Sequence, residues 1–342
     1  MTMQKQVSFE TMTDSPELYP LHFGPIYQYR LWGGRRLSEF NADPLPGDGP
    51  IGEAWILSDR DDFASRVTHG ALQNQTIQQL IASAPKQMLG PLADTFSRFP
   101  LLLKFLDARE MLSVQVHPSD QHKELLPPGE RGKTEAWVVL EADANSKIYA
   151  GLNPGTTPED LRHLTSESAD KQLGQFTPKP GDGVFIEAGT VHALGGGVVV
   201  FEVQQNSDVT FRLFDWDRVD AQTGQSRELH IEKAISCIDF EKGPLHPVEP
   251  NVVALSPAKI ETLFDCEFFR LDRLESKDQF SIGREGELRV IVCIEGNGQI
   301  YHLTEEYPLR KGDVYILPAQ VGKCECQAGG LVHVLEISIP VV

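Results

Sequence analysis

One pattern occurs twice in this chain, and it constrains the fold more than any other feature. Pro180-Gly181-Asp182-Gly183-Val184-Phe185-Ile186-Glu187-Ala188-Gly189-Thr190-Val191-His192 is echoed by Lys311-Gly312-Asp313-Val314-Tyr315-Ile316-Leu317-Pro318-Ala319-Gln320-Val321-Gly322-Lys323. In both copies a Gly-Asp turn opens an apolar, β-rich run, which reaches a small-residue corner before the next strand begins. A Gly-rich hairpin at 295–298 precedes the second copy. One supersecondary unit repeated at long separation predicts two related β-barrels rather than a solenoid. The tract 244–250, with Pro244, Pro247 and Pro250, is the expected seam between them, dividing the chain into residues 1–245 and 246–342.

Short β-rich runs fill most of the chain, including 51–58 and 65–68. Ile77, Leu80, Ile81 and Ala84 recur at helical spacing and predict an amphipathic helix over 76–89. A second helix is expected from Pro158, with Thr157 as N-cap and Glu159 and Asp160 in the first turn. The first fifteen residues read as a frayed tail, and 41–50 as a Pro/Gly/Asp-rich turn.

Charge and cysteine content exclude several roles. A formal net charge of −18 repels polyanions, so neither nucleic acid nor an anionic membrane is an expected partner. An anionic small substrate would need a local cluster of Arg and Lys. No stretch approaches the ~20 apolar residues of a membrane helix. The N-terminus, with Gln4, Lys5, Glu10 and Asp14, lacks the apolar core of a signal peptide. Five cysteines, an odd and mostly scattered set, fit a reducing cytoplasm. Cys324-Glu325-Cys326 has the spacing of half a zinc site, but no second Cys/His pair accompanies it.

The chemistry is concentrated in three segments. Gln115 and His117 lie two apart in Gln115-Val116-His117, so a strand points both side chains to one face. Glu135 and His192 occupy comparable strand contexts. A lone histidine on an apolar strand is ordinarily a core residue. A carboxylate beside two imidazoles is different, because burial of its charge is costly unless a cation compensates it. Gln115, His117, Glu135 and His192 are therefore expected to hold one divalent ion, with ligand distances of about 2.0–2.2 Å if it is zinc. The same nitrogen/oxygen set suits iron, cobalt or manganese. Arg212 alternates with Phe211 and Leu213 in a run that follows the strand returning from His192, which brings it near the metal. A guanidinium there matches a phosphate or a developing oxyanion. Lys133 shares the face of Glu135 and is expected to carry a proton or contact phosphate, its pKa lowered by the nearby cation.

The Gly-Asp turn and small-residue corner before a His-bearing strand resemble the cupin type of double-stranded β-helix. The expected fold is mainly β: two cupin-like double-stranded β-helix (jelly-roll) barrels with a few helices. Residues 1–245 would form the catalytic barrel with helical insertions. Residues 246–342 would form a metal-free copy, since Lys323 stands in the place of His192 and no Gln-x-His precedes it.

Nearly the whole chain resembles the type I mannose-6-phosphate isomerases, particularly their shorter bacterial members. The resemblance rests on Leu31-Trp32-Gly33-Gly34, Gly52-Glu53-Ala54-Trp55, Leu106-Asp107-Ala108 and Leu112-Ser113-Val114-Gln115-Val116-His117-Pro118. It extends to Gly132-Lys133-Thr134-Glu135-Ala136-Trp137, Gly189-Thr190-Val191-His192-Ala193 and Gln205-Asn206-Ser207-Asp208-Val209-Thr210-Phe211-Arg212. It implies one zinc ion per chain, held by Gln115, His117, Glu135 and His192, and a phosphorylated hexose as substrate. It also implies Arg212 as the catalytic arginine, with Ser113, Lys133 and Arg218 as contacts for the substrate or its phosphate. Glu202 and Asp208 match positions lining the family's site.

Two departures stand out. Larger members carry a His where this chain has Gly132, and a Lys where it has Arg218. The chain is also too short for their extra helical domain. The implied reaction interconverts mannose 6-phosphate and fructose 6-phosphate through a cis-enediol, with Arg212 stabilising the enediolate and Ser113 and Arg218 holding the phosphate. Lys133, Glu202 and Asp208 are open as the carbon base. An iron-dependent cupin dioxygenase is the rival enzyme, opposed by the Gln ligand, the nearby cations and the absence of a second His-x-His pair. A non-catalytic sugar-phosphate-binding protein is the other rival.

Overall fold

The computed structural model describes residues 17–40, 44–220 and 223–341. The expected tail over the first fifteen residues lies outside this range, as does 41–43 of the expected turn. Among the described residues the chain is mainly antiparallel β-sheet, with short helices.

The first half is built from two sheets. A six-stranded sheet runs in the order Gly183–Ile186, Glu135–Ala142, Val198–Gln205, Leu101–Ala108, Ile26–Gly34, Ile51–Leu57. A five-stranded sheet runs Leu173–Phe176, Ile148–Leu152, His192–Leu194, Val114–Val116, Phe211–Phe214. Period-two alternation sorts the side chains of the larger sheet between its faces. Trp137, Leu106 and Val200 meet Ile148, Ala150 and Leu194 of the smaller sheet between the layers. Val138, Phe105 and Phe201 point the other way, into a second core shared with the C-terminal half. Phe185 closes that junction, its ring 6.1 Å from Phe264 and 6.5 Å from Phe269.

The C-terminal half pairs a seven-stranded sheet with a four-stranded one, Gln279–Ile282, Cys324–Ala328, Asn297–His302, Glu305–Arg310. The outermost strand of the seven is Leu21–Phe23, contributed from the start of the chain, with Leu21 opposite Ile316.

The expectation of two closed barrels is corrected here: no sheet closes. Ile51–Leu57 pairs with both Ile26–Gly34 and Leu101–Ala108, but among the described residues no pairing joins the two ends of a sheet, so each half is a sandwich of open sheets. Closure needs edge strands that meet with a consistent stagger. The smaller sheet does not supply them: its edges, Leu173–Phe176 and Phe211–Phe214, are four residues long and pair with no strand of the larger sheet. Phe211–Phe214, at its edge, is stopped by a turn in which Trp216 (φ 58°) and Asp217 (φ 53°) are left-handed. The sequence repeat does have a structural counterpart. In each copy the chain leaves one sheet at the small-residue corner and joins the opposing one: Gly183–Ile186 to His192–Leu194, and Val314–Leu317 to Cys324–Ala328.

Two local expectations also change. The helix expected over 76–89 is split into Ile77–Ser83 and Pro85–Leu89. A proline disfavours helical backbone in the residue before it, and Ala84 accordingly sits at φ −144°, ψ 60°. The strand expected over 65–68 reduces to isolated bridges at Arg66 and Val67. Thr157 does cap a helix, Pro158–Arg162, in a reciprocal capping box with Asp160. No helix among the described residues is long and apolar enough to cross a membrane.

Candidate metal centre and substrate cleft

Glu135 opens its strand in the large sheet, and both sheets converge on it. His192 opens the facing strand, and its cross-strand neighbour is Gln115. His117 follows directly on Val114–Val116, and its carbonyl accepts a 2.8 Å hydrogen bond from the N–H of Gly189. Gly189 takes φ +87° at that corner, a conformation glycine adopts without penalty. The corner thereby fixes the two histidine segments side by side, with ring centroids 4.9 Å apart.

The result is a buried His117–Glu135–His192 cluster whose ligand atoms lie within 4.8 Å of one another. Each imidazole is oriented by its outer nitrogen. Nδ1–H of His117 donates to the Val209 carbonyl and Nδ1–H of His192 to the Thr190 carbonyl, both at 2.9 Å. That tautomer turns the Nε2 lone pairs inward, as metal-binding histidines require. Nε2 of His117 and Oε1 of Glu135 are buried without any hydrogen-bond partner. Their separations from the opposed atoms are 3.5 Å for His117 Nε2–Glu135 Oε2 and 3.4 Å for His192 Nε2–Glu135 Oε1. Lone pairs converging from three side chains, with His117 Nε2 and Glu135 Oε1 orphaned, fit a divalent cation.

Electrostatics agree with that fit. Burial pushes the Glu135 carboxyl up to about 7, against the pull of Lys133. Burial also drives His192 down to about 4 and His117 well below the usual imidazole range, so both rings are neutral at pH 7, the form that could bind a metal. Gln115 stands beside the cluster with its amide nitrogen 3.2 Å from His192 Nε2, while its carbonyl oxygen accepts from Ser113 Oγ at 3.2 Å. A half-turn of the amide brings the oxygen to the cluster.

Beside the cluster lies a cleft of about 380 Å³, lined by Ser113, Gln115, Lys133, Glu202, Asp208 and Arg212 among others. Lys133 Nζ lies 2.9 Å from Glu135 Oε2. Burial alone would lower its pKa, but Glu135 and Glu202 outweigh burial and hold it above the ordinary lysine value. In the protein alone this is opposite to the lowered pKa expected for Lys133. Glu202 accepts from Trp137 Nε1 at 2.8 Å and pairs with Lys104 Nζ at 3.2 Å. Burial works against its charge, yet Lys104 and Lys133 keep it a carboxylate below the usual range. Arg212 is opposite Gln115 in register, and its buried Nε has no acceptor. Arg218 does not line the cleft. It turns away, donating Nε to the Asp215 carbonyl at 3.2 Å and Nη1 to the Met111 carbonyl.

The cleft also holds residues that sequence reasoning missed. Arg30 forks onto Glu53 with two 3.0 Å bonds, and Trp55 Nε1 donates to the same carboxylate at 2.7 Å. Lys104, within Leu101–Ala108, had a legible signal: a lysine in the middle of an apolar strand. Arg227 had none, since it sits in a polar loop without periodicity.

Family models match two parts of the chain: "Phosphomannose isomerase type I, catalytic domain" over residues 21–166, and "Mannose-6-phosphate isomerase, cupin domain" over 259–334. The mannose-6-phosphate isomerase ManA of Bacillus subtilis (strain 168) is 35% identical over 306 residues, spanning 89% of this chain and 94% of its own. That of Escherichia coli (strain K12) is 31% identical, spanning 85% and 93%. The crystal structure of the mannose 6-phosphate isomerase from Bacillus subtilis superposes with a TM-score of 0.85 at 29% identity, covering 94% of this chain and 99% of that one. Similarity of this extent, reaching both halves of the chain, makes it a member of the type I mannose-6-phosphate isomerase family.

Proposed function

We propose that the protein interconverts mannose 6-phosphate and fructose 6-phosphate. The observation that carries this reading is the buried His117–Glu135–His192 cluster at a cleft lined by Lys133 and Arg212. We take the ion to be zinc, held by these three residues and Gln115; when bound it supplies a Lewis acid that polarises the sugar oxygens.

The residues of the chain account for the rest. An aldose–ketose exchange moves a proton between C1 and C2 and develops negative charge on the neighbouring oxygen. Arg212, set opposite Gln115 and with no acceptor for its buried Nε among the described residues, stabilises that charge. Lys133, kept protonated by Glu135 and Glu202, is suited to donate to a substrate oxygen rather than to remove a carbon proton. Glu202 is tied to Lys104 and Trp137. Asp208 is left as the cleft carboxylate best able to act as the carbon base, since its side chain makes no hydrogen bond or ion pair among the described residues. Ser113 steadies the amide of Gln115. We assign the activity to the cytoplasm, a compartment that suits five free cysteines, each kept as a thiol by burial.

The test is a coupled isomerase assay with mannose 6-phosphate, before and after chelation and again with zinc restored. Activity lost on chelation and regained with zinc supports the reading. A zinc-loaded protein that does not turn over mannose 6-phosphate defeats it.

A further inference from the structure

The cleft contains three arginines in different electrostatic states. Arg30 is committed, forked onto Glu53 and donating Nη1 to the Tyr29 carbonyl at 3.1 Å. The Arg212 side chain makes no hydrogen bond or ion pair among the described residues, and its Nε is buried. Arg227 is half committed. It turns one edge to Asp215, donating Nε to Oδ2 at 2.9 Å and Nη2 to Oδ1. Its Nη1 hydrogens meet no acceptor among the described residues, so the Nη1–Nη2 end is open to a second two-pronged partner.

The backbone holds Arg227 and Arg212 close. The N–H of His230 donates to the Arg212 carbonyl at 2.8 Å, and its ring Nδ1 accepts from the Arg212 N–H at 3.3 Å. Burial, and after it the charge of Arg227, draws Arg212 below the usual guanidinium value. Like charges are therefore held together in one cleft, with Asp215 and Asp208 compensating Arg212 only in part. An anion in the cleft relieves that repulsion.

We propose that Arg227, clamped by Asp215, grips the phosphate of the substrate, and that Arg218 braces Asp215 instead of touching phosphate. Arg218 directs Nη2 to the same carboxylate and its other donors to backbone carbonyls, outside the cleft lining. The two cleft guanidiniums then divide a phosphosugar: Arg212 meets the reacting carbons beside Gln115, and Arg227 the phosphate. Asp215 is a positioning residue. The proposal rests on the reading of this cleft as a hexose 6-phosphate isomerase site.

The test combines steady-state kinetics on mannose 6-phosphate with calorimetric binding of mannitol 6-phosphate, which cannot be isomerised, to the zinc-loaded protein. Loss of a hydrogen-bonded charge pair of this kind corresponds to about 10–100-fold. Arg227→Ala should raise KM and the mannitol 6-phosphate Kd by that factor, with a much smaller fall in kcat and the metal retained. Arg227→Lys should recover part of the loss, and Asp215→Asn should raise KM while leaving kcat less affected. A merely structural role would lower Tm without this split. The proposal is overturned if Arg227→Ala binds mannitol 6-phosphate as tightly as the unmodified protein, or if Arg218→Ala takes the loss instead. Tight, Arg227-dependent binding of mannitol 6-phosphate without turnover of mannose 6-phosphate would keep the phosphate seat and refute the isomerase.

Discussion

At the scale of single residues, the site works by leaving some polar atoms unpaired and over-pairing others. His117 Nε2 and Glu135 Oε1 meet no hydrogen-bond partner among the described residues, and a bound cation would compensate their burial. Loss of an outer-shell partner costs about 10–100-fold in metal affinity. His117→Ala or Glu135→Ala, which removes a ligand itself, should lose more, giving inactive protein with substoichiometric metal by elemental analysis. Arg212→Ala should behave differently: kcat falls on the order of 10²–10³-fold with the metal retained. Metal lost along with activity would refute the separate roles. Glu53 is the over-paired case. Burial opposes its charge, but Lys104, Arg30 and Trp55 outweigh burial and lower its pKa to about 2. A depressed carboxyl stabilises the fold above its unfolded pKa near 4.5 and loses that contribution as pH falls through the folded value. Glu53→Gln should therefore be less stable than the parent at neutral pH, and the gap should close by about 3 kcal/mol between pH 5 and pH 2 in urea titrations.

At the scale of elements, the two copies of the Gly-Asp turn share a backbone and differ in surroundings. Gly181 (φ +92°) and Gly312 (φ +93°) are both left-handed. A methyl group on Gly181 would meet only Arg273 Nη1, at 3.3 Å, whereas on Gly312 it would fall 1.6 Å from the Phe40 carbonyl oxygen. Gly181→Ala should lower stability by about 1–2 kcal/mol, the ordinary strain of a left-handed residue. Gly312→Ala should cost clearly more, read as the larger drop in Tm; equal drops would mean that the Phe40 loop yields freely. These turns were legible in the sequence because glycine is the residue such a backbone needs. The break at Pro85 was legible too, yet the apolar spacing of Ile77, Leu80, Ile81 and Ala84 masked it, since both short helices bury the same side.

At the scale of the whole molecule, the halves are not independent. Leu21–Phe23 completes a sheet made otherwise of residues beyond 250, and Phe185 packs against Phe264 and Phe269. A chain cut after residue 245 would leave the first strand unpaired and bare the outer face of the six-stranded sheet. It should aggregate or bind a hydrophobic dye strongly. A monomeric, fully active 1–245 fragment would show that the shared core is dispensable.

The convergence of His117, Glu135 and His192, three of the four residues expected to hold a metal, was readable before any coordinates, because a strand's period of two and a buried charge's need for compensation are local rules. So were the mainly β character and the small-residue corner between the strands of the repeat, though not its passage from one sheet to the other. Whether the sheets closed was not readable, since closure depends on where opposite edges end in space, and short edge strands and a left-handed turn decide that together. The same holds for Arg218 and Arg227. Both follow Arg212 at short distance in the chain, and nothing in their neighbours distinguishes them. The turn at Trp216 and Asp217 sends one guanidinium to brace Asp215 from behind, and the backbone bonds of His230 bring the other into the cleft. Residue type and periodicity dictated which chemistry the chain carries; the meeting of distant segments determined which of two like charges faces the cleft.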